Sequence, residues 1–337
     1  MKYTNNTNVS LPLALWLAND TYAGSNNLRN KQISATSLLK PMKQLILSLY
    51  APEMEADIIS FLASRNGTAV HDAVEFTLKG DGYKKAALKL GYSQEDVDRM
   101  VVNPTPEQLA SMTNPYPIYS EIRTEKNVLG WTVTGEFDLV VDGTVRDIKN
   151  TKTYSFVKKS NDTKYIQQGS IYRWLNPMII TKDVMYIDFI FSDWQQIKAN
   201  TDPNYPKQPI VDKKFDLIPY QQTEFFVMNK IREIEDYLLI PKADVEDMLP
   251  QCTDEELWRS ESEFKYYSKA DAARATKAGF TSYMEAHQYM MAEKKGVGVI
   301  KEIKGEVKAC NYCKAFPVCK QKDNYLLSGE LISTKAI

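Results

Sequence analysis

Hydrophobic and polar positions recur along this chain with two different periods, and the switch between them divides it. From Ser34 to about Leu62 the apolar residues follow helical spacing, with a break at Ala51-Pro52. The stretch "GTAVHDAVEFTLKG" predicts a further helix opening after Gly67, and Pro104, Pro106, Pro115 and Pro117 then punctuate a looser region. Strand-like runs follow at 118–124, 127–141, 144–149 and 183–191. Between the last two, "DTKYIQQGSIYRWLN" has helical spacing that puts Tyr165, Gln168 and Tyr172 on one face. "TEFFVMNKIREIEDYLL" is a long amphipathic helix ended by Pro241. Strands bracketed by helices predict a mixed α/β core. The first 30 residues are Asn-rich, and the expectation there is loose order around one apolar patch, Leu11 to Leu17. The expected division is an N-terminal helical region over 1–62, a core over 63–241 and a C-terminal subdomain over 242–337.

Within the strand-rich stretch, "TGEFDLVVDGTVRDIKN" is the most informative segment. Asp142-Gly143 is a type I′ hairpin signal, because that turn needs φ > 0 at both central residues. Pairing Val141 with Thr144 and counting outward puts Asp138 opposite Asp147 and Glu136 opposite Lys149. By alternation Phe137, Leu139, Val141 and Ile148 form the core face, and Asp138, Asp147 and Lys149 share the other. Opposed carboxylates at about 5 Å destabilise a strand pair unless something neutralises them. A hard divalent cation of the Mg²⁺ or Mn²⁺ type does so, with the lysine positioned for a metal-bound water or a developing phosphorane charge. A solvated strand face carrying ordinary ion pairs, Glu136 to Lys149 among them, fits the same spacing.

Gly135-Glu136-Phe137-Asp138 followed by Asp147-Ile148-Lys149 resembles the PD-(D/E)XK nuclease signature, in the version found in RecB-like exonucleases of phage and CRISPR-associated type. Three further stretches are similar to that branch in the same order: "ISATSLLKPMKQLIL", Gly67-x-x-x-His71, and Tyr165-x-x-Gln168-x-x-x-Tyr172. The resemblance spans Ile33 to about Asn176 and then the cysteine tail. It implies a restriction-endonuclease-like mixed sheet flanked by helices, with a helical N-terminal region and a Cys-containing C-terminal subdomain. It implies a DNA exonuclease of phage recombination or replication that uses Mg²⁺ or Mn²⁺, with proteins of those processes as partners. The metal ligands would be His71, Asp138, Asp147 and the carbonyl of Ile148, and Lys149, Gln168 and Tyr172 would complete the catalytic set. A non-catalytic DNA-binding or virion protein on the same scaffold is the alternative, as is an interaction protein whose Asp-x-Lys is accidental. Glu75, four residues after His71, is a secondary candidate for orienting it, and His287 reads as structural.

Composition narrows this further. The net charge is −1 over 337 residues, so any nucleic-acid surface has to be local. Between residues 144 and 175 the basic residues are Arg146, Lys149, Lys152, Lys158, Lys159, Lys164 and Arg173, against Asp147 and Asp162. Of these Lys152, Lys158, Lys159, Lys164 and Arg173 are the candidate DNA contacts. The absence of a long apolar run or a signal-like h-region gives the expectation of a cytoplasmic protein with no membrane partner, in a host cytoplasm if phage-encoded.

The four cysteines are too few for a disulfide scaffold. Cys310, Cys313 and Cys319 form a C-x2-C-x5-C run. In the RecB-like branch a similar run ligates a [4Fe–4S] cluster, whose fourth ligand commonly precedes a proline ahead of the core. Lys40 occupies that place before Pro41 here, so Cys252 is expected to complete a four-thiolate site with zinc or an iron–sulfur cluster. Reduced cysteines with no metal remain the alternative.

Overall fold

A computed structural model of the 337-residue chain describes residues 2–19 and 26–333. Packing divides the chain into two units: Met1–Leu39 with Glu53–Glu233, and Lys40–Pro52 with Ile234–Ile337. The division falls inside the helix Tyr220–Leu238. The loose order expected over the first 30 residues is corrected where the chain is described, since Lys2–Thr4 is a strand, Leu11–Ala18 a helix and Leu28–Asn30 a 3₁₀ turn; the part of that expectation falling on residues 20–25 lies outside the described residues.

Among the described residues there are twelve strands, numbered in chain order. Lys2–Thr4 (β1), Gln32–Ser34 (β2) and Glu55–Asp57 (β3) are short, and β1 pairs parallel with β3. Met100–Val102 (β4), Tyr116–Val128 (β5), Trp131–Val141 (β6), Thr144–Thr151 (β7), Val184–Phe191 (β8) and Ile210–Asp216 (β9) form the main sheet in that order. The strand β2 joins it beside β6, so the sheet has seven strands. Pairs β5–β6, β6–β7 and β8–β9 are antiparallel, whereas β4–β5, β2–β6 and β7–β8 are parallel. The parallel β7–β8 step requires a crossover, and the helices Thr153–Lys158 and Asp162–Leu175 supply it. This is the mixed, helix-flanked sheet expected from the sequence.

The Asp162–Leu175 helix is pressed onto the sheet at two glycines. A Cβ on Gly169 would lie 2.3 Å from Met185 Sδ on β8, and one on Gly135 of β6 would lie 2.4 Å from Leu175 Cδ1. Its last seven residues, Gly169 to Leu175, are buried for that reason. In β8 burial alternates strictly, with Met185, Ile187, Phe189 and Phe191 in the core.

Several expectations are corrected. The 127–141 run is not one strand: Leu129 and Gly130 both have positive φ, and Val128 pairs with Trp131 across that turn. A leucine is a poor left-handed residue, so the turn carries no strong sequence signal. The helix expected to open after Gly67 begins at Leu62 and runs through the glycine to Leu78. The helical pattern after Ser34 resolves into two short helices, then β3 and a 3₁₀ turn over Ile58–Phe61. The buried apolar pair of the Asp142-Gly143 hairpin is Val140 with Val145, while Leu139 and Val141 are only partly covered. Alternation fails because both faces of the sheet are covered there.

The second unit contains Glu263–Tyr267 (β10), Lys277–Phe280 (β11) and Val299–Ile303 (β12), an antiparallel sheet in the order β11-β10-β12. The helix Tyr283–Lys294 packs on one face through Tyr266, Phe280 and Ala286. Among the described residues no helix is long and apolar enough to cross a membrane.

Candidate functional site: a carboxylate and histidine centre on the main sheet

Both turn residues of the hairpin, Asp142 and Gly143, have positive φ, and Val141 pairs with Thr144 as counted. The ladder then runs only as far as Leu139 with Arg146, so Asp138 and Asp147 are not a ladder pair. Beyond that point β6 pairs with β2 and β7 follows β8, and the two strands part. Asp138 bridges the gap: its Oδ2 accepts from the backbone N–H of Ile148 at 2.9 Å, replacing the lost ladder bond.

His71 reaches the same place from the helix Leu62–Leu78. Its Nε2 donates to the Ile148 carbonyl at 3.0 Å and its Nδ1 lies 3.5 Å from Asp138 Oδ1. Lys149 Nζ lies 2.6 Å from the buried Asp147 Oδ2, an ion pair that offsets part of the cost of desolvating both charges.

A residue that the sequence reading missed completes the centre. Glu121 of β5 offers a ligand atom within 4.8 Å of those of His71 and Asp138, the one such group among the described residues. The β5–β6 register puts Glu121 opposite Asp138, but the ladder skips that pair because Glu121 has φ +51. A glutamate held left-handed inside a strand costs on the order of 1–3 kcal/mol, a kind of strain that clusters at functional sites. Nothing local marks Glu121; the route to it was the unseen Leu129-Gly130 turn, from which counting outward reaches the Glu121–Asp138 position.

The electrostatics follow from this crowding. Burial first, and then Asp147, push the Asp138 carboxyl up to about 6, against the pull of His71 and Lys149. Burial and then Asp138 push Glu121 up to about 8, with Glu136, Glu75 and Asp72 adding to it. Burial works against the Lys149 ammonium, but Asp147 and Asp138 outweigh it and hold its pKa above the ordinary lysine value. Two carboxylates and an imidazole within 4.8 Å of one another, with the Ile148 carbonyl hydrogen-bonded to that imidazole, suit a hard divalent cation, while Asp147, paired with Lys149, lies outside that group.

The remaining candidates divide. Tyr165 lies with its ring 5.9 Å from Lys149 Nζ. Gln168 donates to the hydroxyl of buried Tyr172 at 2.7 Å, and Tyr172 lines a small cleft with Ser34, Thr36, Arg123 and Glu136. That cleft joins the opening Ser-rich segment to the Tyr-Gln-Tyr helix. Glu75 ion-pairs with Lys79 at 2.9 Å rather than with His71. Lys152, Lys158 and Lys159 are exposed at the end of β7 and around the short helix that follows, and Lys164 is half-buried. Arg173 is not brought to the surface. It is buried, ion-paired with Asp183 and donating to the Ile218 carbonyl, which makes it a strut under the helix.

In the second unit all four cysteines are half-buried and unbridged. The Cys252 thiol is pushed up to about 12, by burial first, then by Glu256 and by Cys319, Cys313 and Cys310. The four thiols therefore share one neighbourhood, although they do not converge as closely as His71, Glu121 and Asp138 do. Gln321, two residues after Cys319, clamps Cys252 by accepting from its N–H and donating to its carbonyl at 2.9 and 3.0 Å. His287 stacks on Tyr283 with ring centroids 5.9 Å apart.

No family model matches the chain, and no curated protein does. Among solved structures the chain is similar to the protein SSO0001, at 16% identity over 67% of this chain and 87% of that one, with a TM-score of 0.40. It is similar to an alkaline exonuclease (LHK-Exo) from Laribacter hongkongensis, at 12% identity over 66% and 93% of the chains, TM-score 0.34. It is also similar to a phage related exonuclease from Haemophilus somnus 129PT, at 16% identity over 64% and 96%, TM-score 0.28.

Proposed function

We propose that this chain is a divalent-metal-dependent DNA nuclease, acting as an exonuclease in phage recombination or replication. The observation that carries the reading is the convergence of His71, Glu121 and Asp138, two of them hydrogen-bonded to the Ile148 backbone, with the buried Asp147–Lys149 pair flanking Ile148 in sequence. Desolvated carboxylates gathered this closely are destabilising unless cations neutralise them. Asp138, Asp147, His71, the Ile148 carbonyl and Glu121 would hold Mg²⁺ or Mn²⁺. When bound, that ion supplies Lewis acidity toward the scissile phosphate and acidity to its water.

The chain's own groups do the rest. Lys149 stays an ammonium between Asp147 and Asp138, so its work is to donate to the phosphate or orient the attacking water, stabilising charge as it develops. Lys152, Lys158 and Lys159 follow directly after β7 and offer phosphate contacts along the strand being cut. Gln168 and Tyr172 hold each other through their hydrogen bond and fix the cleft wall that carries Ser34 and Arg123. The four thiols of the second unit form a metal-bound staple of zinc or an iron–sulfur cluster, where thiolate binding contributes folding energy.

The test is cleavage of end-labelled linear DNA against covalently closed circular DNA with Mn²⁺, for the wild type and Asp147→Asn. Loss of the linear substrate alone, absent in the variant, is the expected result. A wild-type protein that cuts neither substrate with Mg²⁺ or Mn²⁺ overturns the reading, and cutting of the circle replaces the exonuclease with an endonuclease.

A further inference from the structure

The second unit displays two large aromatic rings that its core does not use. Trp258 is 49% exposed and Tyr312 is 76% exposed, and their ring centroids lie 5.7 Å apart at an interplanar angle of 41°. Burying either ring would be favourable, so its exposure needs a cause.

For Trp258 the cause is in the backbone. Its φ is +49, a left-handed conformation that is an outlier for so bulky a residue. Both neighbours are anchored. Leu257 is buried with Val307, Phe316 and Leu331, and its carbonyl accepts from the backbone N–H groups of Lys308 and Ala309. On the other side Arg259 binds Asp254, Glu330 and the Gly305 carbonyl. One anchor on each side holds the strained residue between them and leaves the indole half in solvent. Tyr312 closes the turn Ala309–Tyr312, between Cys310 and Cys313 in sequence.

The surroundings are cationic. From Lys304 to Lys322 the sequence holds Lys304, Lys308, Lys314, Lys320 and Lys322 against Glu306. Lys320 pairs with Asp247 and Lys322 with Asp323, while Lys304, Lys308 and Lys314 are exposed. Lys40 is surface-exposed as a residue, while burial of its ammonium first, and then Lys314, lowers its pKa. A flat aromatic face among lysines matches a polymer that alternates bases with phosphates.

We propose that Trp258 and Tyr312 form a stacking platform for unpaired DNA bases, with Lys308, Lys314 and Lys40 taking the adjoining phosphates. The choice of DNA rests on the nuclease reading above; the platform itself rests on the rings, the strained backbone and the lysines.

The test uses the full chain in EDTA, so that nothing is cleaved, with fluorescent oligothymidylate and a blunt duplex as probes. Trp258→Ala and Tyr312→Ala should each weaken oligothymidylate binding about tenfold. Duplex affinity should stay as it is, and Trp258→Phe should keep most of the single-strand affinity. Oligothymidylate should quench indole fluorescence in the wild type and quench it less in Trp258→Phe, a readout that holds even if an alanine variant folds poorly. Alanine variants that melt like the wild type and bind the oligonucleotide equally well overturn the proposal. So does quenching identical in wild type and Trp258→Phe. Cleavage with Mn²⁺ alongside those negatives refutes the platform and leaves the nuclease reading. Ring-dependent single-strand binding without any cleavage supports the platform and refutes the nuclease.

Discussion

Asp138 and Glu121 hold their protons to about pH 6 and about pH 8, well above their ordinary values of 3.8 and 4.5. In the unfolded chain both would ionise near those ordinary values. The folded state therefore binds more protons between them, and the stability this contributes is full below about pH 4 and lost as pH rises through 6 and then 8. The metal-free protein should melt lower at about pH 8 than at about pH 5, and Glu121→Gln should flatten that slope. Divalent metal, which needs the ionised carboxylates, should raise the melting temperature more at the higher pH. Thermal melts with EDTA or Mg²⁺ at both pH values check this, and equal slopes in wild type and Glu121→Gln would refute it. A second expectation concerns Asp147→Asn, which removes a ligand charge at constant size: metal-dependent cleavage should fall by about 10³-fold or more, with DNA binding in EDTA nearly unchanged. Cleavage rates and filter binding on one preparation decide it. At this scale the turn at Asp142-Gly143 was legible and brought Asp138, Asp147 and Lys149 onto neighbouring strands, although the expected Asp138–Asp147 pairing does not form. His71 came from the resemblance of Gly67-x-x-x-His71 to a family helix. Glu121 was not legible, since its place depends on a left-handed backbone that no local pattern announces.

Among elements, the Asp142-Gly143 hairpin and the Asp162–Leu175 helix were readable from turn chemistry and helical spacing. The splaying of β6 from β7 was not, because it follows from each strand's other neighbour, β2 on one side and β8 on the other. The β10–β12 module was invisible for a local reason: β11 is four residues long, contains Gly279 at φ +86 and meets β10 with a shifted register. Where the chain leaves that module, Gly305 crosses the segment at Ser260. A Cβ there would sit 1.6 Å from the Ser260 carbonyl oxygen, a clash with backbone that no rotamer can relieve. Ser260 and Glu306 also exchange backbone and side-chain hydrogen bonds at the crossing, and Arg259 donates to the Gly305 carbonyl. Gly305→Ala should therefore cost more than about 3 kcal/mol and open the segment around Leu257 and Val307 to proteolysis. Unchanged digestion kinetics would show that the crossing relaxes more easily than its hydrogen bonds imply.

Across the molecule, the chain combines a sheet unit in which His71, Glu121 and Asp138 converge with a second unit that holds all four cysteines. The sequence marked three of those thiols by their spacing, while Cys252 was assigned to them from 58 positions earlier only because Lys40 stands where the family's ligand would be. Gln321 ties the Cys252 backbone to the helix that begins directly after Cys319. A buried thiol pushed up to about 12 stays protonated at neutral pH unless a metal takes the proton's place. Purified protein should accordingly carry one tightly held metal equivalent in this unit, brown if it is an iron–sulfur cluster and colourless if it is zinc. Cys252→Ser should lower that content, because three thiolates leave an open coordination position. Metal analysis and visible absorbance of wild type and variant, each treated with a chelator in parallel, measure both expectations. Equal metal content in the two would remove Cys252 from the site, and absence of metal from both would leave four reduced thiols, of which Cys252 and Cys310 pack against the cluster of Leu257 and Phe316.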